Sequence, residues 1–173
     1  MGRKPRTAEE IVDHLLNDRT GRLGGTVTGP PVDVYGIAAS LGVEVVTRTD
    51  LPPGVEAELL RGTRVHLIVV RSPCQPARAR FSVAHELGHL FLHPDEDFVF
   101  QQGQPTGCRY AERPELEANH FAAALLMPED WLRAAIGEGM SDAGVSFTRI
   151  AQRFGVSRQA LRRRLAALAL TLD

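Results

Sequence analysis

Arg80-Phe81-Ser82-Val83-Ala84-His85-Glu86-Leu87-Gly88-His89-Leu90-Phe91-Leu92-His93 is the stretch whose reading decides the fold. His85 and His89 stand four residues apart. On a helix that is about 400° of rotation and roughly 6 Å of rise, so both imidazoles leave one face. Two neutral imidazole nitrogens so placed can hold one zinc ion at about 2.0–2.1 Å. Glu86 lies one position round from His85, where its carboxylate can take a proton from water beside such an ion. Leu87, Leu90 and Phe91 fall on other faces and anchor the helix in a core. Gly88 costs a helix about 1 kcal/mol relative to Ala, which predicts a close neighbour at that point. The plain alternative is a solvated helix matching a short motif by chance. The apolar flanks Phe81, Val83, Ala84, Leu90 and Leu92 argue instead for a buried helix, in which histidines without partners are costly and a metal removes the cost.

Two histidines are too few for a zinc site, and the candidates for a third ligand are His93, Glu115 and Glu117. His93 lies a further turn along the same helix, out of ready reach of one ion, and suits a structural or supporting role. Pro114 suits the first turn of a new helix, expected from Glu115 to about Met127 and closed by Pro128. On it Glu115, Ala118, Asn119 and Ala122 share one face, and the small alanines let it approach the first helix near Gly88. Glu115 is therefore preferred over Glu117, although both acids would also complement the helix dipole. Asn119, one turn on, can hydrogen-bond the outer nitrogen of a ligand histidine.

With these residues the chain resembles the ImmA/IrrE family of metallopeptidases. The resemblance rests on Arg80–His89 with Leu92-His93, and on Glu115–Pro128. Pro31–Val34 with Ile37-Ala38 and Leu41–Val43 adds to it. It implies an α+β, zincin-like fold with a small twisted sheet packed on helices. By position it implies His85, His89 and Glu115 as zinc ligands and Glu86 as general base. Members of that family typically cleave a helix-turn-helix repressor. Ser82, where Thr is commoner, and His120, after Asn119, depart from the family pattern without touching the inferred ligands. Tyr110 and His120 are candidates to stabilise an oxyanion.

Elsewhere, Thr7-Ala8-Glu9-Glu10 forms a capping box for a helix over residues 8–17. Asp33 caps a second helix, Val34–Leu41, which Gly42 stops. Strands are expected at Val43–Arg48, Glu58–Arg61 and Val65–Val70, the last two joined as a hairpin across Gly62-Thr63 and the last the most buried. The segment from Asp95 to Arg113 reads as a long connection, with one short strand at Phe98–Phe100. A peptidase domain over residues 1–136, with its core at 31–128, would then be followed across a Gly-rich linker by a helical appendage over 137–173.

In that appendage Phe147–Leu161 reads as helix, glycine turn, helix, similar to a helix-turn-helix unit. Arg158, Gln159, Arg162 and Arg163 are its candidate DNA contacts. Leu161, Leu165 and Leu168 packing that helix, with arginines as a solvated face, is the favoured reading over DNA binding. A net charge of −1 does not indicate a non-specific polyanion binder. Nearly all cations are Arg, with Lys4 the only lysine, which reads as a coding bias. Two cysteines, Cys74 and Cys108, argue against a disulfide framework. With no signal-peptide core or membrane-length apolar run, the expected compartment is the cytoplasm. The expected function is a zinc endopeptidase acting on a repressor; the alternative is a zinc-bound protein- or DNA-binding regulator with little turnover.

Overall fold

The computed structural model describes residues 7–17, 28–94, 112–139 and 147–171. Its elements are α1 (Ala8–Leu16), α2 (Val34–Ser40), β1 (Val43–Arg48), β2 (Ala57–Arg61), β3 (His66–Arg71), α3 (Pro76–Leu92), α4 (Glu112–Leu126), α5 (Glu129–Gly139), α6 (Phe147–Phe154) and α7 (Arg158–Ala167). The fold is α+β.

β3 takes the centre of the sheet because it is apolar on both faces. Ile68 and Val70 enter the main core, while Val69 faces the other way onto Leu51 and Val55. β1 pairs parallel to β3, and β2 pairs antiparallel to it across the expected hairpin. The order is β1-β3-β2, so among the described residues β2 is an edge. Val65, expected inside the most buried strand, instead precedes β3 and is exposed.

α1 begins at the capping box: the Thr7 amide donates to Glu10 Oε2 at 2.9 Å and the Glu10 amide to Thr7 Oγ1 at 3.2 Å. Asp33 caps α2 by accepting from the Gly36 amide. α4 starts at Glu112, earlier than expected, with Pro114 its third residue. Proline is tolerated there because first-turn amides have no intrahelical acceptor anyway. α5 adds a helix to those expected, with Trp131, Leu132, Ala135 and Ile136 at helical spacing behind the acidic first turn Glu129-Asp130. The strand expected at Phe98–Phe100 lies outside the described residues.

The buried cluster runs across the division expected at residues 136 and 137. Ile150, Phe154, Leu161 and Leu165 belong to the same cluster as Leu15, Ile37, Leu87 and Phe121. Two arginines tie these parts together. Arg80 of α3 donates Nη2 to the Val32 carbonyl at 2.6 Å and Nε to the Gly155 carbonyl, between α6 and α7, at 3.2 Å. Arg164 of α7 donates Nε to the Met127 carbonyl at 3.2 Å.

Gly155 has φ +63°, and a Cβ added there would meet Arg80 Nε at 3.0 Å. Left-handed backbone costs a non-glycine residue about 1–2 kcal/mol. Gly155→Ala is therefore expected to lower unfolding stability by about that amount, read as a lower urea midpoint at unchanged slope; an unchanged midpoint would refute the strain.

Candidate metal centre

α3 and α4 meet at Gly88. A Cβ on Gly88 would lie 3.0 Å from the Ala118 Cα and 3.2 Å from its carbonyl oxygen. Ala118 and Ala122 are fully buried in this contact. The close neighbour that Gly88 predicts is thus the backbone of α4, and it brings the Glu115 side chain, three residues before Ala118, over the histidines of α3.

His85 Nε2 and His89 Nε2 stand 3.0 Å apart. Glu115 Oε2 is 3.2 Å from the first and Oε1 3.2 Å from the second. The donor atoms of a tetrahedral ion bound at 2.0–2.1 Å are about 3.3 Å from one another, so the three groups fit one small cation. His85, His89 and Glu115 form a cluster that could hold a metal ion. The chemistry of the donors agrees. His85 Nδ1 donates to Asn119 Oδ1 at 3.2 Å, which turns its Nε2 toward His89 and Glu115. The hydrogen bonds from His85 and His89 hold the Glu115 carboxyl far below the usual carboxylate range, against its partial burial. Burial lowers the His85 imidazole, but Glu115, Glu86 and Asn119 outweigh it and raise the group overall.

Glu86 is 8 % exposed and borders the same groove. Burial pushes its carboxyl up, with His85 and His89 opposing. The two other ligand candidates meet each other instead: His93 Nε2 lies 3.7 Å from Glu117 Oε2, and Glu117 also accepts from Arg113 Nε at 2.9 Å. His120, at the groove's rim, donates Nε2 to Glu9 of α1. Tyr110 lies outside the described residues. The four candidate DNA contacts divide. Arg158 and Arg162 lie over the Phe147 ring, 5.8 and 5.6 Å from its centroid, whereas Gln159 and Arg163 line the same groove as the histidines.

Sequence reasoning missed Arg61. From the end of β2 its Nη2 donates to the carbonyl of His89 at 3.0 Å, which also accepts the His93 amide at the helix end, and to that of His93 at 2.8 Å, just past the last turn of α3. Nothing local signals this, since the partners are 28 and 32 residues away.

Residues 38–166 match the family model Peptidase_M78, the IrrE N-terminal-like domain. The chain is 33% identical over 90 residues, 51% of its length and 32% of the relative's, to the radiation response metalloprotease IrrE of Deinococcus deserti. It is 34% identical over 93 residues to the protein of that name from Deinococcus radiodurans, covering 53% and 28%. It is 38% identical over 65 residues to Uncharacterized immunity region protein 2 of Bacillus phage phi105, covering 38% and 39%. The matched stretches thus span about a third of each of these relatives. A Mycobacterium tuberculosis transcriptional regulator shares the fold at TM-score 0.58 and 22% identity, over 92% of this chain and 45% of that one.

Two outcomes follow from this geometry. Asn119→Ala should weaken zinc affinity by about 10- to 100-fold, because it frees the tautomer and rotation of His85. Competition titration against a chromophoric chelator measures this, and unchanged affinity would refute Asn119's part. At Glu9, burial raises the carboxyl, but hydrogen bonds from His120 and its own amide leave it below the ordinary 4.5. A depressed carboxyl contributes stability above its unfolded value and loses it as pH falls through the folded one. Glu9→Gln should therefore be less stable at pH 7 by under about 1 kcal/mol, the pair being solvent-exposed. In urea unfolding across pH, the difference should vanish on acidification below the ordinary value; one that grew in acid would contradict it.

Proposed function

This chain belongs to the IrrE N-terminal-like (Peptidase_M78) family of metallopeptidases, and from that premise we propose that it is a zinc-dependent endopeptidase cleaving a helix-turn-helix repressor. One observation carries the reading: two imidazoles from α3 and a carboxylate from α4 converge on one point, with the buried Glu86 beside them on the same groove. His85, His89 and Glu115 would hold the ion. When bound there, zinc supplies a Lewis acid that polarises the scissile carbonyl and makes water a nucleophile near neutral pH.

The remaining work falls to the chain's own side chains. Glu86 accepts the proton from the attacking water on its carboxylate and passes it to the leaving amine. Its burial suits this, since a carboxyl raised toward neutrality both takes and returns a proton readily. Asn119 holds His85 with its Nε2 facing the centre. Arg61 ties the sheet edge to the last turn of α3. Among the described residues β2 pairs on one side only, with β3. Its outer edge offers backbone donors and acceptors to an extended peptide lying in the groove.

The choice of a repressor as substrate is supported by the family resemblance and by similarity to a phage immunity region protein. α6, the Gly155 turn and α7 are read as a helix-turn-helix-like unit given to packing and protein contact. Among the described residues no helix is long and apolar enough to cross a membrane; a cytoplasmic location belongs to the same proposal.

Co-incubation of the zinc-loaded protein with a helix-turn-helix repressor encoded beside its gene, followed by mass spectrometry, tests the reading. Wild type should cleave it, and a chelator should stop it. Glu86→Gln should keep one equivalent of zinc while cleavage falls by about 10²- to 10⁴-fold, and Glu115→Ala should lose the metal. Cleavage by Glu86→Gln at the wild-type rate would overturn the assignment.

A further inference from the structure

The groove that holds the histidines encloses about 1060 Å³, at the upper end of small-molecule pockets and ample for a peptide segment. One wall is the edge strand β2 with the turn before it. α7 forms another part of the lining, through Gln159, Ala160, Arg163 and Arg164. Its position is fixed against the site, because Arg80, on α3 five residues before His85, bonds the Gly155 carbonyl at the start of that wall.

The charges of the two walls do not cancel. Glu86 and Glu115 belong to the reaction site. Arg78 on the strand side is paired with Glu56 at 3.0 Å, and Arg61 is spent on the α3 carbonyls. That leaves Glu58 on the β2 side and Arg163 and Arg164 on the α7 side. Arg163 is exposed and has no hydrogen bond or ion pair among the described residues. Arg164 is 5 % exposed, and the hydrogen bond recorded for it runs to a neutral carbonyl. Burial lowers its pKa, and the charges of Glu9 and Glu129 oppose that. Arg163, the exposed cation of the two, gains from an incoming carboxylate.

We propose that α7 is the selecting wall of the cleavage groove, where Arg163, backed by Arg164, receives an Asp or Glu side chain of the bound peptide. This rests on the peptidase reading and names the substrate chemistry that reading leaves open. It also gives the helix a task other than reading DNA. Duplex phosphates entering this groove would meet Glu58, Glu86 and Glu115, while Arg158 and Arg162 are drawn over Phe147 outside the groove lining. The four candidate contacts therefore do not present one docking face.

The test is cleavage-site profiling of a proteome-derived peptide library by the zinc-loaded wild type, Arg163→Glu and Arg163→Ala, with Glu86→Gln as the blank. Wild-type sites should be enriched in Asp or Glu at one position relative to the cut. Arg163→Ala should lose that enrichment, and Arg163→Glu should replace it with Lys or Arg. On the best-cleaved peptide, changing that acid to Lys should lower wild-type kcat/KM about five- to tenfold, as expected for reversing a partly exposed ion pair, and Arg163→Glu should restore it. Binding of the same peptides to Glu86→Gln, read by fluorescence anisotropy, should follow the same pattern. An acidic preference that survives both Arg163 variants, or no preference in the wild type, overturns the proposal. So does salt-sensitive binding of a 20-base-pair duplex that Arg163→Glu abolishes while the cleavage profile stays unchanged. If the wild type cuts nothing that Glu86→Gln leaves whole, the peptidase reading itself has failed.

Discussion

The close approach of α3 and α4 at Gly88 is the constraint on which the candidate site depends. Two helices carrying ordinary side chains at their crossing stay 8–10 Å apart. With no Cβ at Gly88 and only a methyl group on Ala118, the backbones come near enough for the Glu115 carboxylate to contact both imidazoles. The same contact buries Phe121 and Leu87 in the main cluster, so the core that stabilises the fold also sets the distances of the site. Neither helix could be shifted along the other without separating the acid from the histidines.

A second regularity concerns the arginines. Arg61, Arg71, Arg80 and Arg164 each donate to backbone carbonyls, and Arg71 alone gathers those of Leu51, Pro52 and Val55. A planar guanidinium with five donors in a fixed fork can satisfy several carbonyls at once, which an ammonium on a flexible stem does less well. A preference for Arg that reads as coding bias in the sequence thus serves this fold as a set of ties between distant segments. Two of these ties, from Arg61 and Arg80, run directly to or from the helix that carries His85 and His89. They connect that helix to β2 and to the turn before α7.

Where the deciding interaction is local, the sequence is legible. The Thr7–Glu10 capping box, the strand Val43–Arg48 and the shared face of His85 and His89 each follow from residues within a turn or two. Gly88 is informative for another reason: a residue unfavourable in a helix marks a packing demand, and Ala118 and Ala122 four residues apart show what could meet it. The start of α4 is less readable, because proline is accepted anywhere in a first turn and Pro114 does not say which. α5 carries its signal in Trp131, Leu132, Ala135 and Ile136 behind an acidic first turn. The orientation of α7 is beyond sequence reasoning. Helical period groups Gln159 with Arg163 and Arg158 with Arg162, but it cannot tell which pair faces the groove. The ties made by Arg61 and Arg80 are hidden for the same reason, since carbonyl acceptors are available on every residue.

The central claim is that one divalent cation sits between α3 and α4, held by His85, His89 and Glu115. The most direct measurement is the anomalous difference density of crystals grown with zinc, collected on both sides of the zinc absorption edge. The expected result is one strong peak about 2.0–2.2 Å from both Nε2 atoms and from a Glu115 oxygen. A peak held instead by Glu117 or His93, or no peak at the two histidines with zinc in excess, would contradict it.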